Sequence, residues 1–495
     1  MRDRALHLNE LATRVFDALV IGGGITGAGI ARDAATRGLS VALVEKSDFG
    51  SGTSSRSSRL VHGGVRYLEH GHLHLVFEAS TERRRLLRLA PGLVRPLPFV
   101  WPVYEGQRLP LWKLVAGLTL YDALALFQNV ERHRRFTRGD VLDAEPRLRS
   151  EGLRGGVRYF DAATDDARLT LANVIDAADL GAAVANHVTF AGSSFGANGI
   201  HVAIMEDALT GDRFEVRARV LVNAGGPWSD SVASLAGQAT ASKVQGSKGA
   251  HIAVKRDRVG NQEAITLVHP RDGRVMFALP SGTHAIIGTT DSFTDVSPDE
   301  IRASETDVAY LLDAANAFFP DARLTRDDVI AGWAGIRPLM PSRGSAVQAS
   351  REHAITRAGG IVTVTGGKLT TYRVMASEVV DAVRVALQMP RATGTTKNRP
   401  LPAPNAREEG REIEVGLPYR MSAMHHAVTH EFARTLGDLL IRRTHVAYET
   451  RDNGRAAARR VADAIAPLLQ WDAAARTREL ARYDAEVDRI FRIDP

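Results

Sequence analysis

DALVIGGGITGAGIARDAATRGLSVALVEK, residues 17–46, is the stretch whose reading decides the fold. Phe16–Ile21 (FDALVI) is a short apolar run that stops on glycines, Ala28–Arg37 reads as a small-residue helix, and Ser40–Val44 is a second apolar run. That order predicts strand, helix, parallel strand. Within it Gly22, Gly24 and Gly27 form GxGxxG, and acidic Glu45 ends the second strand. Gly22 permits the tight turn, Gly24 lets the backbone approach a pyrophosphate, and Gly27 allows close helix packing, while the free amides at the helix start, with Ile25 and Thr26, face the phosphates. Glu45, followed by Lys46, suits ribose hydroxyls and disfavours a 2′-phosphate, so NAD and FAD both remain.

Next comes TSSRSSRLVHGGVRY, residues 53–67, rich in hydroxyls, glycines and basic side chains that offer donors to a phosphate or a flavin. Alone it also admits a solvated loop. Glu78–Ala90 reads as a charged helix, and the five prolines of Pro91–Pro110 are expected to break regular structure. From Arg158 to Asn223 a helix at Leu169–Leu180 and strands around Ala185–Ala191, Ile200–Met205 and Arg217–Val222 look like the first sheet resumed. Alternating segments between Lys243 and Asp291 predict an antiparallel sheet forming one wall of a site. Ile361–Thr365 is a strand that GGKLTTYRVMA turns into a helix, Arg399–Pro404 reads as a linker, and the tail beyond it is helical with 15 basic and 15 acidic residues.

A chain of 495 residues exceeds one core, since domains run to about 100–200 residues. Its apolar and charged fractions, 44% and 24%, are those of a soluble globular protein and exclude disordered and fibrous classes. The net charge of +6 is local, because Thr81–Arg149 holds 13 basic and 7 acidic residues. Such a surplus attracts nucleic acid, anionic lipid or a phosphorylated substrate. Aromatic residues make up only 6%, and none interleave with the basic stretch as a nucleic-acid stacking surface needs. The absence of cysteine excludes disulfides, thiolate metal sites, iron–sulfur clusters and cysteinyl-linked flavin, and no metal site is expected. Met1–Val15 lacks the apolar run of a signal peptide, so a cytoplasmic protein is expected.

The chain resembles FAD-dependent glycerol-3-phosphate dehydrogenases of the respiratory type over most of its length. The resemblance is carried by residues 17–46, then TSSRSSRLVHGGVRYLEH, TDDARLTLAN, VNAGGPW, KGAHIAV, IIGTTD, AGIRPL and GGKLTTYR. It implies an α/β fold: an FAD-binding doubly wound, Rossmann-like domain, an antiparallel-sheet cap domain and a C-terminal helical domain. The FAD-binding domain is then expected at 1–90, 151–240 and 336–395, the cap at 91–150 and 241–335, and the helical domain at 405–495. The last of these matches least.

By the same resemblance FAD is held by Gly22, Gly24, Ile25, Thr26, Gly27, Glu45, Lys46, Thr53, Ser54, Ser55, Ser58, Arg59, Leu60, His62, Gly63 and Gly64. Val188, Ala224, Gly225, Asp291, Lys368, Leu369 and Thr370 complete the cofactor shell. Arg66, Tyr67, His251, Arg337, Arg351 and Lys368 match substrate contacts. A dianionic phosphate is best held by Arg, whose planar fork gives paired charge-assisted bonds. Oxidation of a secondary alcohol also needs a base for the hydroxyl proton. His62, in the VHGG turn, and His251 both have the ordinary pKa near 6.5 that suits it, His251 on the substrate and His62 on the flavin. Gly366–Thr371 opens a helix whose positive end can face the flavin.

The implied reaction is oxidation of sn-glycerol 3-phosphate to dihydroxyacetone phosphate, with a membrane quinone as electron acceptor. Leu109–Phe127, in the basic stretch, suits shallow contact with an anionic membrane surface, and a buried cap-domain helix is the competing reading. A peripheral protein on the inner face of the plasma membrane follows, and a homodimer is admitted but not required. The competing functions are a glycine/sarcosine-type flavin oxidase, a glycerol-phosphate oxidase using oxygen, and a non-catalytic basic binding protein on the same fold.

Overall fold

In the computed structural model the described residues are 4–65, 68, 72–238, 244–339, 352–404 and 409–495. The strand Val15–Ile21 pairs in parallel with Val41–Val44 on one side and Arg213–Asn223 on the other. Ala183–Ala185 and Ile361–Gly366 extend this sheet in parallel, and His353–Ala358, His201–Asp207 and Val188–Phe195 add antiparallel strands. Alternate side chains of the first strand go to opposite faces. Ala18 and Val20 pack under the helices Ile25–Thr36, Asp166–Asp179 and Tyr372–Ala386, whereas Leu19 and Ile21 join Phe190, Ala203 and Met205 on the other face. Both faces are buried, which is why the strands read as unbroken apolar runs.

The second sheet has ten strands. Gln245–Lys255, Ala264–Val268, Val275–Ser281 and His284–Gly288 form its antiparallel body, as expected for 243–291, and Val329–Leu339 pairs with the first of them. Two of its strands come from outside the expected cap segments, and a third overruns them. Leu60–Val61 and Leu153–Thr164 lie here although 1–90 and 151–240 were expected in the cofactor domain, and Val329–Leu339 stays in this sheet past residue 335. The chain thus crosses between the sheets at Leu60–Val61 and Val329–Leu339, and the site lies where it crosses.

The expectation that Pro91–Pro110 breaks regular structure is corrected by the strand Val94–Tyr104, which pairs along its whole length with Leu153–Thr164. Pro96, Pro98 and Pro102 share one parity, so all three missing N–H groups point to the same edge. Among the described residues the pairing on the edge away from Leu153–Thr164 is with Ala264 and Ile265, at Phe99 and Val100. The ladder to Leu153–Thr164 loses no donor.

The C-terminal part is helical, with Met421–His430, Arg455–Leu469 and Ala473–Phe491 the longest elements. It shares a core with the second sheet: Met424, Leu440, Val461 and Phe491 belong to the same buried cluster as Trp101, Leu118 and Trp333. Buried ion pairs tie it to the first sheet as well. Asp48 accepts from Arg442 at 2.7 Å and from Arg443 at 2.6 Å, and Asp438 pairs with Arg442 and with His187 Nε2 at 3.0 Å. Asp48, His187 and Asp438 lie close enough together to ligate a metal, but the two guanidinium groups already balance their charge.

Candidate active site

The fingerprint turn is built by its own backbone. Gly22 has φ +110°, and a Cβ there would come within 2.5 Å of Ala224 O. A Cβ on Gly27 would lie 1.9 Å from Gly22 O, so helix and strand approach at a distance only glycine allows. The helix begins at Ile25, whose N–H donates to Ser54 Oγ at 2.9 Å. Glu45 accepts from Gly23 N at 2.7 Å and from Ser47 N at 3.0 Å, which leaves acceptor capacity on both oxygens. Burial pushes its carboxyl pKa up, and these two amides oppose that shift.

A cavity of about 580 Å³ runs from this turn to the second sheet. It is lined by most of the expected cofactor residues: Gly22, Gly24, Ile25, Thr26, Glu45, Lys46, Thr53, Ser54, Ser58, Leu60, His62, Gly64, Val188, Ala224, Gly225, Lys368 and Leu369. The size suits a largely buried cofactor. The donor set fits a dinucleotide, with a helix N-terminus, hydroxyls and an acid at the ribose position. Six expected residues lie behind the wall instead. Gly27 packs the helix, and Ser55 offers its carbonyl to Tyr448 OH at 2.9 Å. Gly63 donates its N–H to Asp161 at 3.1 Å, and Thr370 Oγ1 bonds both N and O of His62 at 3.2 Å, fixing that turn.

Arg59 is also corrected, because its φ of +55° turns the side chain away from the cavity. Its guanidinium stands 4.8 Å from the Tyr448 ring centroid, facing the C-terminal helices and Asp165 and Asp166. Asp291, the sixth, supports a cation instead of a cofactor. It lies 3.2 Å from Arg337 Nη1 and accepts a short bond from Ser247 Oγ.

Substrate-type residues converge on the second-sheet wall. His251 and Arg337 sit on neighbouring strands, in register with Trp333 and Ser247 respectively. Residues 333, 335 and 337 share one face, as do 249 and 251 across from them. Gly249 leaves the room that the Arg337 guanidinium takes: a Cβ there would be 2.4 Å from it. Arg337 Nη2 donates to Thr289 Oγ1 at 3.0 Å. His251 Nε2 lies 2.9 Å from Ser58 Oγ. Burial, then Arg337 and Arg59, lower its pKa to about 3, so the ring is neutral. Lys368 Nζ reaches the Leu75 carbonyl at 3.4 Å and lines the cavity beside His62. Arg66, Tyr67 and Arg351 lie outside the described residues.

Several wall residues carry no sequence signal of their own. Phe99, Trp101, Tyr159, Val275 and Phe277 form an apolar end, reached through the proline strand that the sequence reading dissolved. Asp299, from the loop after Ser292–Thr294, accepts from Lys46 at 2.8 Å and from Trp228 Nε1 at 3.0 Å, while Lys46 stands 4.3 Å over the Trp228 ring. VNAGGPW pointed to Trp228, but nothing near Asp299 repeats a motif.

Residues 17–381 match the FAD dependent oxidoreductase family, and 376–476 match the C-terminal domain of alpha-glycerophosphate oxidase. Glycerol-3-phosphate dehydrogenase 2 of Mycobacterium tuberculosis is 36% identical over 98% of this chain and 90% of its own length. The aerobic glycerol-3-phosphate dehydrogenase of Staphylococcus aureus is 38% identical over 75% of this chain and 68% of its own. Among solved structures, the glycerol-3-phosphate dehydrogenase from Bacillus halodurans complexed with FAD is 28% identical, with a TM-score of 0.80 and coverage of 98% and 97%. Glycine oxidase from Geobacillus kaustophilus, 22% identical with a TM-score of 0.58 over 79% of this chain and 99% of its own, shares the fold.

Proposed function

We propose, for a chain that belongs to the FAD-dependent glycerol-3-phosphate dehydrogenase family, that it oxidises sn-glycerol 3-phosphate to dihydroxyacetone phosphate and passes the electrons to a membrane quinone. The observation that carries the substrate is Arg337. It is a guanidinium held by Asp291 and Thr289 and opened toward the cavity over Gly249. Paired charge-assisted bonds suit a phosphate dianion.

Bound FAD supplies the acceptor for the hydride that leaves C2 of the substrate. The hydroxyl proton leaves separately, and His251 is placed to receive it. A neutral imidazole in the free enzyme is a ready acceptor, but with its pKa near 3 it is a weak one. Arg337 is the largest charge behind that depression. Substrate phosphate paired with Arg337 offsets this charge, so His251 becomes more basic when substrate is bound. Lys368 serves the flavin edge and the substrate oxygen, and His62, clamped by Thr370, serves the flavin. Arg66, Tyr67 and Arg351 keep their expected role as substrate contacts.

The quinone reading is supported by the exposed face of Leu111–Leu124. Leu114, Leu118 and Tyr121 are buried, so one side of this helix is core, while Trp112 is 73% exposed and Leu126 and Phe127 follow it into solvent. Among the described residues no helix is long and apolar enough to cross a membrane. Oxygen is the second reading, because residues 376–476 match a domain described from an oxidase.

An anaerobic titration tests both steps. Glycerol 3-phosphate should bleach the flavin band where glycerol and glycine do not, and a soluble quinone should restore the band faster than air. Bleaching by glycine alone would overturn the substrate, and faster return in air would replace quinone by oxygen.

A further inference from the structure

His251 is held from behind by a ring that the C-terminal helices hold in turn. Trp333 stands directly across the ladder from His251, the two rings lying 5.5 Å apart and 11° from parallel. Stacked cross-strand rings of this kind fix each other's orientation. Trp333 is fully buried, and on another side it meets Tyr448, of the short helix Val446–Glu449, whose ring stands at 5.0 Å and 88° to it. Tyr448 is packed at the back by Phe491 at 4.9 Å.

The same tyrosine grips His251 by a second route. Tyr448 OH donates to the Ser55 carbonyl at 2.9 Å. Ser55 ends the turn Thr53–Ser55, and three residues later Ser58 Oγ meets His251 Nε2 at 2.9 Å. One side chain therefore supports both the plane on which the imidazole stacks and the segment that carries its hydrogen-bond partner.

We propose that Tyr448 is a positioning residue for His251, acting through Trp333 and the Ser55–Ser58 segment, so that the C-terminal helical domain shapes the substrate side of the active site. This rests on the reading of His251 as a substrate contact. A side chain that packs two shells away matters because displacement of a reacting group by about 1 Å costs a large factor in rate. Loss of the Tyr448 ring empties the space against the Trp333 edge and frees the Ser55 carbonyl, so both supports slacken together.

The test is a mutant cycle on purified, FAD-loaded enzyme, with kcat and KM for glycerol 3-phosphate, bound FAD per chain and melting temperature measured for each variant. Tyr448→Ala should lower kcat/KM by about tenfold or more, mostly in kcat, with FAD content unchanged. Tyr448→Phe keeps the edge contact and should recover activity to within about threefold of wild type. Val461→Ala opens a cavity in the same core but on the helix Arg455–Leu469, which makes none of the ring contacts of Tyr448, and should lower the melting temperature without touching kcat/KM. In a His251→Asn background Tyr448→Ala should add little, because its route is already broken. Full additivity of the two losses would overturn the proposal, as would a Val461→Ala loss as large as that of Tyr448→Ala. If His251→Asn itself leaves kcat/KM intact, the reading of His251 fails instead.

Discussion

Asp291 Oδ1 lies 3.2 Å from Nη1 of Arg337, and this pair sets the direction of the cation that faces the cavity. The carboxylate is almost fully buried while the guanidinium is partly exposed, so Asp291 anchors and Arg337 presents. Arg337→Ala should therefore weaken substrate far more than cofactor. Charge-assisted bonds are worth about 1.5–3 kcal/mol each, so losing a pair costs at least about tenfold in substrate binding. Arg337→Lys should recover only part, since a point charge lacks the fork. The check is KM for glycerol 3-phosphate beside FAD content, and loss of flavin would move Arg337 into the cofactor shell.

FAD should leave the protein on denaturation. The chain has no cysteine, so no cysteinyl linkage can form, and the cavity walls offer hydrogen bonds and packing instead. After acid precipitation the yellow colour should stay in the supernatant. Colour that remains with the pellet through repeated washing would show a covalent link to another side chain.

The first sheet was legible because its signals are local: a glycine fingerprint, an apolar strand on either side and an acid at the second strand's end. Sites that depend on chain crossing were not. Arg59 sits in a motif full of expected cofactor residues, yet at φ +55° its guanidinium lies against Tyr448. Asp291 was expected at the cofactor, and its partner Arg337, two strands away across Gln245–Lys255, cannot be read from the sequence. Tyr448 and Trp333 lie 115 positions apart and carry no shared motif, so their contact exists only in the fold. The proline strand misled for a different reason: parity hides the missing donors on one edge.

Acid should destabilise the fold through buried histidines. Burial, helped by Arg337 and Arg59, holds His251 at about 3, and burial, helped by Lys255, holds His284 at about 4. An unfolded imidazole takes its proton near pH 6.5. Between pH 6.5 and 4 the unfolded chain thus binds protons that the native one refuses, and stability falls as pH falls. Each group contributes up to about 1.4 kcal/mol per pH unit in that window. His284→Gln removes one of them, so the drop in urea midpoint from pH 7 to pH 5 should be smaller than in wild type. An equal drop in both proteins would mean that His284 is protonated in the native state.

The protein should bind anionic membranes through the region around Leu111–Leu124, and raised salt should release it. Trp112 is 73% exposed, Leu126 54% and Phe127 51%, which is unusual for large apolar side chains in a solvated loop. Exposed cations accompany them: Arg108 and Lys113 near Trp112, and Arg132 at 5.0 Å from the Phe127 ring. An interfacial segment needs both, apolar groups for the acyl boundary and cations for the headgroups. Each Lys or Arg near anionic lipid contributes about 1 kcal/mol and is screened within a Debye length, so binding must fall steeply with ionic strength. The apolar part is not screened, and Trp112→Ser with Phe127→Ser should weaken binding even at low salt. Sedimentation with anionic and neutral vesicles at low and high salt decides it. If both vesicle types carry down the same negligible amount at either salt, this surface meets something other than lipid.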